Sequence, residues 1–401
     1  MVKKKSHGLA ERYDFSITRW AALFGLAIFF LFLPYRHGLF HSFTYSFELP
    51  IFETQLFMFT VFLIALVYIA RFLKYESLEF LFGIGMLLMP FIYWISSFQA
   101  VSYHNAVMMV FIYGLFAVFF LMALSLVTTK ASRLAAELVV FLSGYAIIIT
   151  GLLAATGQVS IKDAIWYTSG TFRLSSIFQY SNTYAGFLLA FFLSAAFAAV
   201  NAKRTITACL HAVMLVPIWV SFLLTYSRGA LVMVPFLVLI VLVFLRLDRQ
   251  IVYLGTLLVS TVVSFIILNP YTQNYMDIAR RVKPKSANEN PYLLPANDPA
   301  VVRAWLILLA ASFAAALCMW AIRAAQPWLE RRLTRWTERS YSAFVLPAAG
   351  AVLGLVFSVL LFGSGIASKI LPQSIADRIG NINFRQHSVL ERLTFYRDAL
   401  K

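Results

Sequence analysis

Long apolar runs separated by short polar connectors follow one another along this chain from Trp20 to Phe362. A helix needs about 20 apolar residues, within a range of roughly 17 to 25, to cross the hydrocarbon of a bilayer. Runs of that kind fall near 17–34, 51–70, 78–95, 105–127, 134–156, 183–201, 206–225, 229–245, 251–269, 302–322 and 342–363. Inside lipid every backbone N–H and C=O must be satisfied within the segment, so each run is expected to be a helix. The pattern predicts an all-α, polytopic transmembrane bundle of about eleven spanning helices, one integral membrane domain over residues 1–401. No tandem repeat, heptad array or low-complexity tract is evident, nor are two halves related by an internal repeat.

The connectors alternate in charge. Basic residues gather in the N-terminal segment, at Arg71 and Lys74, Lys130 and Arg133, Lys203 and Arg204, and Arg246 and Arg249. A sixth group holds Arg323, Arg331, Arg332, Arg335 and Arg339. The connectors near 35–50 and 96–104 hold almost none. Positive charge stays on the cytoplasmic side, so the N-terminus is expected in the cytoplasm. The segments at 157–182, 225–229, 270–301 and 364–401 are then expected outside.

Composition agrees. Only 12% of the 401 residues are charged and 61% are hydrophobic, against roughly 25% charged in a soluble domain. Mean hydropathy is +0.80. A net charge of +16 would point to nucleic acid in a soluble protein, but here it follows from orientation and from anionic lipid heads. Cys209 and Cys318 sit in apolar runs and read as small buried hydrophobes. The first run ends in Pro34-Tyr35-Arg36 with no small-residue cleavage site, which reads as a retained helix.

Arginine near lipid is held by a partner or a polar cavity, and several arginines fall on the expected outer side: Arg173, Arg228, Arg280, Arg281, Arg303, Arg378, Arg385, Arg392 and Arg397. A guanidinium presents a planar fork of donors that suits phosphate. For Arg280, Arg281, Arg378 and Arg385, helix capping or snorkelling to lipid heads is the favoured role. Arg173 and Arg228 stand apart because of their neighbours. Arg173-Leu-Ser-Ser-Ile-Phe178-Gln-Tyr-Ser-Asn182-Thr-Tyr-Ala opens a helix, and Thr225-Tyr226-Ser227-Arg228-Gly229-Ala230 forms a tight turn between two spans. Arg392-x-x-x-Tyr396-x-x-Ala399-Leu400 is a third segment of interest.

Together these segments resemble the O-antigen ligase and polymerase-like superfamily of bacterial membrane glycosyltransferases. The first is similar to that family's Arg-x-x-Gly-x-Phe pattern and Asn-containing turn, with Ser176 in place of the Gly and Tyr180-Ser181 in place of Asn-Pro. The second is similar to its Ser-Arg-Gly motif, and the third to the start of its large outer loop, here 364–401. The similarity spans about residues 140–401 and implies a polytopic, GT-C-like architecture. It also implies that the family's loop continues beyond Lys401 with a His-bearing segment, so the chain reads as truncated.

The resemblance implies transfer of a glycan from an undecaprenyl-diphosphate carrier to an acceptor at the outer face of a bacterial cytoplasmic membrane. The acceptor is a lipid, a protein or a glycan, so ligase and polymerase both stay open. Arg173 and Arg228 are the expected catalytic pair, neutralising charge on the departing diphosphate. Asn182, Ser227 and Gly229 are expected to shape the substrate site, with Arg392 and Tyr396 as further contributors. Metal and cofactor are not expected; the sequence has no Asp-x-Asp or His/Cys ligand cluster. The family's general base is expected past Lys401, and His387 is the nearest outer histidine. His37, His41, His104 and His211 read as structural, and Trp20, Trp94, Trp166, Trp305 and Trp336 as an interfacial belt. A transporter or flippase of lipid-linked saccharides is the alternative. It would carry charge near the midplane, whereas these runs are nearly charge-free.

Overall fold

A computed structural model describes residues 16–35, 48–72, 78–168, 171–286, 289–337, 339, 341–363 and 387–399. The described helices are α1 (Ser16–Phe32), α2 (Glu48–Phe72), α3 (Leu78–Ser97), α4 (Tyr103–Leu126), α5 (Lys130–Ala155) and α6 (Ser181–Asn201). They continue with α7 (Thr205–Leu224), α8 (Arg228–Val243), α9 (Leu247–Val282), α10 (Pro299–Thr337), α11 (Ser342–Gly363) and α12 (His387–Ala399). Strands β1 (Ile165–Thr168) and β2 (Thr171–Leu174) lie between α5 and α6.

Eight helices, α1, α2, α4, α5, α6, α7, α9 and α10, are long and apolar enough to cross a membrane. Shorter apolar stretches occupy α3, α8 and α11, where further spans were expected. The chain is thus an all-α multi-pass membrane protein. Lipid as solvent explains its outer surface: Phe24, Leu63, Ile266 and Phe313 are each 65–71% exposed, which water would penalise and acyl chains do not.

Three features depart from the sequence reading. Helices α9 and α10, of 36 and 39 residues, run well past the expected 251–269 and 302–322. At 1.5 Å per residue they reach over 50 Å, each continuing into polar sequence past an internal proline, Pro270 in α9 and Pro327 in α10. The 157–182 segment, expected as an outer connector, contains a hairpin, and the 364–401 segment contains α12.

The chain divides into two compact units. Unit 1 comprises residues up to Gly151 with Ile161–Ala164 and Ser176–Tyr180. Its core joins Ala22 and Leu26 of α1, Met58, Val61 and Ala65 of α2, and Leu115 and Met122 of α4. Gly25 lets α1 and α2 approach closely, since a Cβ there would lie 2.7 Å from Val61. Arg19, only 4% exposed, closes one end. It donates to the Leu126 carbonyl at 2.9 Å and to the hydroxyls of Thr128, Thr129 and Ser132 at 3.2, 3.0 and 2.9 Å. Thr129 and Ser132 exchange reciprocal bonds before α5, in the manner of a capping box.

Unit 2 comprises Leu152–Ser160, Ile165–Ser175 and Ser181–Lys401, all inside the 140–401 region of the resemblance. Helix α7 is its centre, with every residue from Leu215 to Leu224 buried. It packs on α6, α9 and α10. Thr256, Ser260 and Ser264 of α9 donate to carbonyls four residues back, which satisfies their hydroxyls in an apolar surround. The burial of α7 carries its C-terminal end, and the turn that follows, to the middle of one end of unit 2.

Candidate functional site at the hairpin and the 225–228 turn

The hairpin sorts its side chains by alternation. Strands β1 and β2 pair antiparallel with Trp166 opposite Arg173 and Tyr167 opposite Phe172. Residues directly opposite share a face. One face is therefore apolar, with Ile165 and Leu174 buried and Tyr167 against Phe172 at 5.4 Å between centroids. Arg173 is on the other face, with Trp166.

The 225–228 turn follows from how α7 ends. Thr225 Oγ1 donates to the Phe222 carbonyl at 2.6 Å, and the Tyr226 N–H to that of Leu223 at 3.1 Å. Tyr226 has φ +50°. That left-handed conformation is uncommon for a bulky side chain and costs on the order of 1 kcal/mol. Ser227 then takes extended backbone as the residue before α8, without a side-chain capping bond. Arg228 opens α8, half-buried. Gly229 has open space where a Cβ would stand.

Arg173 joins the two motifs. Its Nε donates to the Thr225 carbonyl at 2.8 Å and its Nη2 to Asn182 Oδ1 at 2.9 Å. One guanidinium thus bridges β2, the first turn of α6 and the turn that leads to Arg228. Thr225 is three residues from Arg228, so their Cα atoms are within about 11 Å at 3.8 Å per residue. Arg173, Asn182, Ser227, Arg228 and Gly229 therefore share one end of unit 2.

No protein-family model, curated protein or solved structure matches this chain. The site is accordingly read from its own chemistry. Arg173 and Arg228 both belong to this end, together with the N-terminus of α8, whose peptide dipoles favour negative charge.

Tyrosines that the sequence reading did not single out border this place. Tyr275 of α9 is 2% exposed, and its hydroxyl is within electrostatic range of Tyr167, Tyr226 and Tyr271. Among the described residues the buried hydroxyls of Tyr167 and Tyr275 have no hydrogen-bond partner, a rare condition that marks where water or a ligand group completes the bonding. Burial pushes the Tyr167 phenol well above its ordinary value, so it stays neutral. Lys283 Nζ lies 5.7 Å from the centre of the Tyr167 ring, adding a third cation. In sequence, Tyr271 and Tyr275 are spaced one helical turn apart, which gives their shared buried face but not their neighbours.

The segment 283–298 is tied down beside the hairpin. The Leu294 N–H donates to the Gly157 carbonyl, and Ser160 Oγ to that of Pro291 at 2.7 Å. Asp298 accepts two bonds from Arg281 and one from the Ala300 N–H at the start of α10. Arg281 therefore closes a strap by pairing with Asp298. The Arg281 guanidinium beside Asp298 holds that carboxyl below its usual range.

Tyr396 is on α12 and two-thirds exposed; the Arg392 side chain, Arg378, Arg385, His37, His41 and the His387 side chain lie outside the described residues. Trp20, Trp94 and Trp336 are about half exposed, as interfacial residues are. Both cysteines are free thiols. Among the described residues no group of His, Cys, Asp and Glu is arranged to hold a metal.

Proposed function

We propose that the chain is a membrane glycosyltransferase of the O-antigen ligase or polymerase type, with a GT-C-like architecture, acting on a polyprenyl-diphosphate-linked glycan at the outer face of a bacterial cytoplasmic membrane. The observation that supports this reading is the Arg173 bridge. It unites two segments 52 residues apart in sequence, the same two on which the family resemblance rests.

In this mechanism an acceptor hydroxyl attacks the anomeric carbon of the donor glycan. The new glycosidic C–O bond forms as the bond to the lipid diphosphate breaks. The diphosphate leaves with the electron pair, and the hydroxyl proton passes to a general base. Negative charge grows on the departing diphosphate, and preorganised cations there lower the barrier. Arg228 and the α8 N-terminus meet the diphosphate. Arg173 adds charge and, through Thr225 and Asn182, holds the turn. The open space over Gly229 lets an oxyanion approach the first N–H groups of α8.

The test is Arg228→Ala in membranes supplied with a lipid-linked oligosaccharide. Transfer is expected to fall at least about 100-fold, as for loss of one transition-state donor, with membrane insertion intact. Arg228→Lys recovers only part, because a point charge does not replace the fork. Unaltered transfer by the alanine variant sinks the mechanism. Donor already on the outer face separates the enzyme from a flippase: only the enzyme yields transferred glycan.

A further inference from the structure

The opposite end of unit 2, one length of α9 away, carries a second polar constellation that glycan transfer does not use. A cavity of about 400 Å³ opens between the start of α9 and the polar extension of α10. Arg246, Asp248 and Arg249 line it from one side, and Glu330, Arg331 and Thr334 from the other. Three guanidinium groups face two carboxylates, so the cavity is net positive. Part of that charge is committed: Arg249 donates to Asn201 Oδ1, and Glu330 accepts from Gln326 at 2.9 Å. Arg331 has no ion pair among the described residues.

Asp248 supplies an independent signal. It is 5% exposed, and its Oδ1 accepts no hydrogen bond among the described residues. Arg246 Nε is 3.5 Å from that oxygen, a charge pairing without hydrogen-bond geometry. A buried carboxylate oxygen on a residue that lines the cavity calls for a donor. A ligand that fits both features has a phosphate for the arginines and a hydroxyl or ammonium for Asp248. The volume argues the same way: at about 30 Å³ per water it equals roughly a dozen waters, more than a phosphate ion fills.

The setting favours a lipid over a soluble phosphate. The apolar part of α9 begins at Ile251 and α8 ends at Val243, so the cavity is at the level of headgroups. The α10 extension beside it exposes Trp328 and Trp336, 61% and 52%. Arg332 sits over the Trp328 ring at 5.5 Å. Exposed Trp with interleaved Arg is the pattern of a helix lying at the membrane interface, and basic pockets between helices hold anionic heads.

We infer that this cavity binds the headgroup of a phospholipid whose phosphodiester meets Arg246, Arg249 and Arg331 and whose hydroxyl or ammonium group donates to Asp248. The full-length chain, reconstituted with phosphatidylcholine alone or with added phosphatidylglycerol, tests it by native mass spectrometry of retained lipid. Phosphatidylglycerol is expected to be retained over phosphatidylcholine by on the order of tenfold or more, and removal of each arginine to cost about fivefold. The R246A/R331A pair therefore loses the preference, and R335A, outside the cavity, keeps it. Phosphatidylmethanol, which has the charge but no donor, is retained less than phosphatidylglycerol by wild type and equally by D248N. Equal retention of phosphatidylcholine and phosphatidylglycerol overturns the assignment, as does full retention by R246A/R331A. Displacement of the lipid by millimolar inorganic phosphate also overturns it, in favour of a soluble anion.

Discussion

At the residue scale, three arginines show how surroundings divide one side chain's uses. Arg19 is engulfed, with its donors spent on the Leu126 carbonyl and three hydroxyls. Its sequence position marks it only as one more positive charge before the first span; its partners are over 100 residues away. Arg19→Ala removes these bonds at a buried side chain and is expected to cost about 1–3 kcal/mol, read as a lower unfolding midpoint in detergent. Arg281 meets a carboxylate at the surface and closes a strap. Arg173 bonds to a backbone carbonyl and to an amide oxygen and so ties two segments together. Replacing it with Lys, which lacks the fork, forfeits one of those bonds. We expect Arg173→Lys to lower transfer at least about tenfold while moving the unfolding midpoint little, and Asn182→Ala to act in the same direction. A parallel loss of midpoint and activity would instead assign Arg173 to the fold alone.

At the element scale, the turn after α7 reverses an intuition about its glycine. Ser-Arg-Gly invites the view that Gly229 makes the turn. The left-handed residue is Tyr226, and Gly229 is already helical with free space around it. Gly229→Ala should leave stability unchanged or raise it by up to about 1 kcal/mol, the helix-propensity difference. The same change should reduce transfer if substrate uses that space, so a stable but slow variant is the expected result. Gly157 is the converse case. It has φ +72° and a Cβ there would lie 2.8 Å from Val282, so Gly157→Ala should destabilise by over 1 kcal/mol. The strap from 283 to 298 adds a pH dependence. Its Asp298 carboxyl is depressed in the folded chain by Arg281. The pair's contribution is therefore complete above the ordinary carboxylate range and fades as pH falls through the folded value. Melting curves of wild type and Asp298→Asn should converge in acid and separate at neutral pH.

At the scale of the whole molecule, charge is distributed by end. In unit 2 the end opposite the hairpin gathers Lys203, Arg204, Arg246, Arg249, Arg323 and Arg331, and there Arg323 caps α6 through the Val200 and Ala202 carbonyls. The positive-inside rule predicts a cytoplasmic placement for this end. Single cysteines at Ser160 and Arg204, in a chain freed of Cys209 and Cys318, should report it. An impermeant thiol reagent on intact cells is expected to label the first and spare the second; the reverse pattern inverts the topology and removes the outer-face site.

Which stretches become helices in lipid was decided by the sequence alone, because apolar length and the need to satisfy every backbone group locally leave little choice. The basic connectors, the separateness of the two arginine motifs and the freedom of the cysteines were readable for the same reason: each is local. The hairpin, the reach of α9 and α10, the tyrosines around Tyr275 and the cavity at Asp248 were not readable. The grouping around Tyr275 and the cavity depend on contacts between residues tens of positions or more apart, and no short-range pattern encodes which distant carbonyl a guanidinium will find; the hairpin is local, but its strands of four residues are too short for an alternation to stand out. Only when α7 is buried at the centre of unit 2 does its last turn come within a hydrogen bond of Arg173.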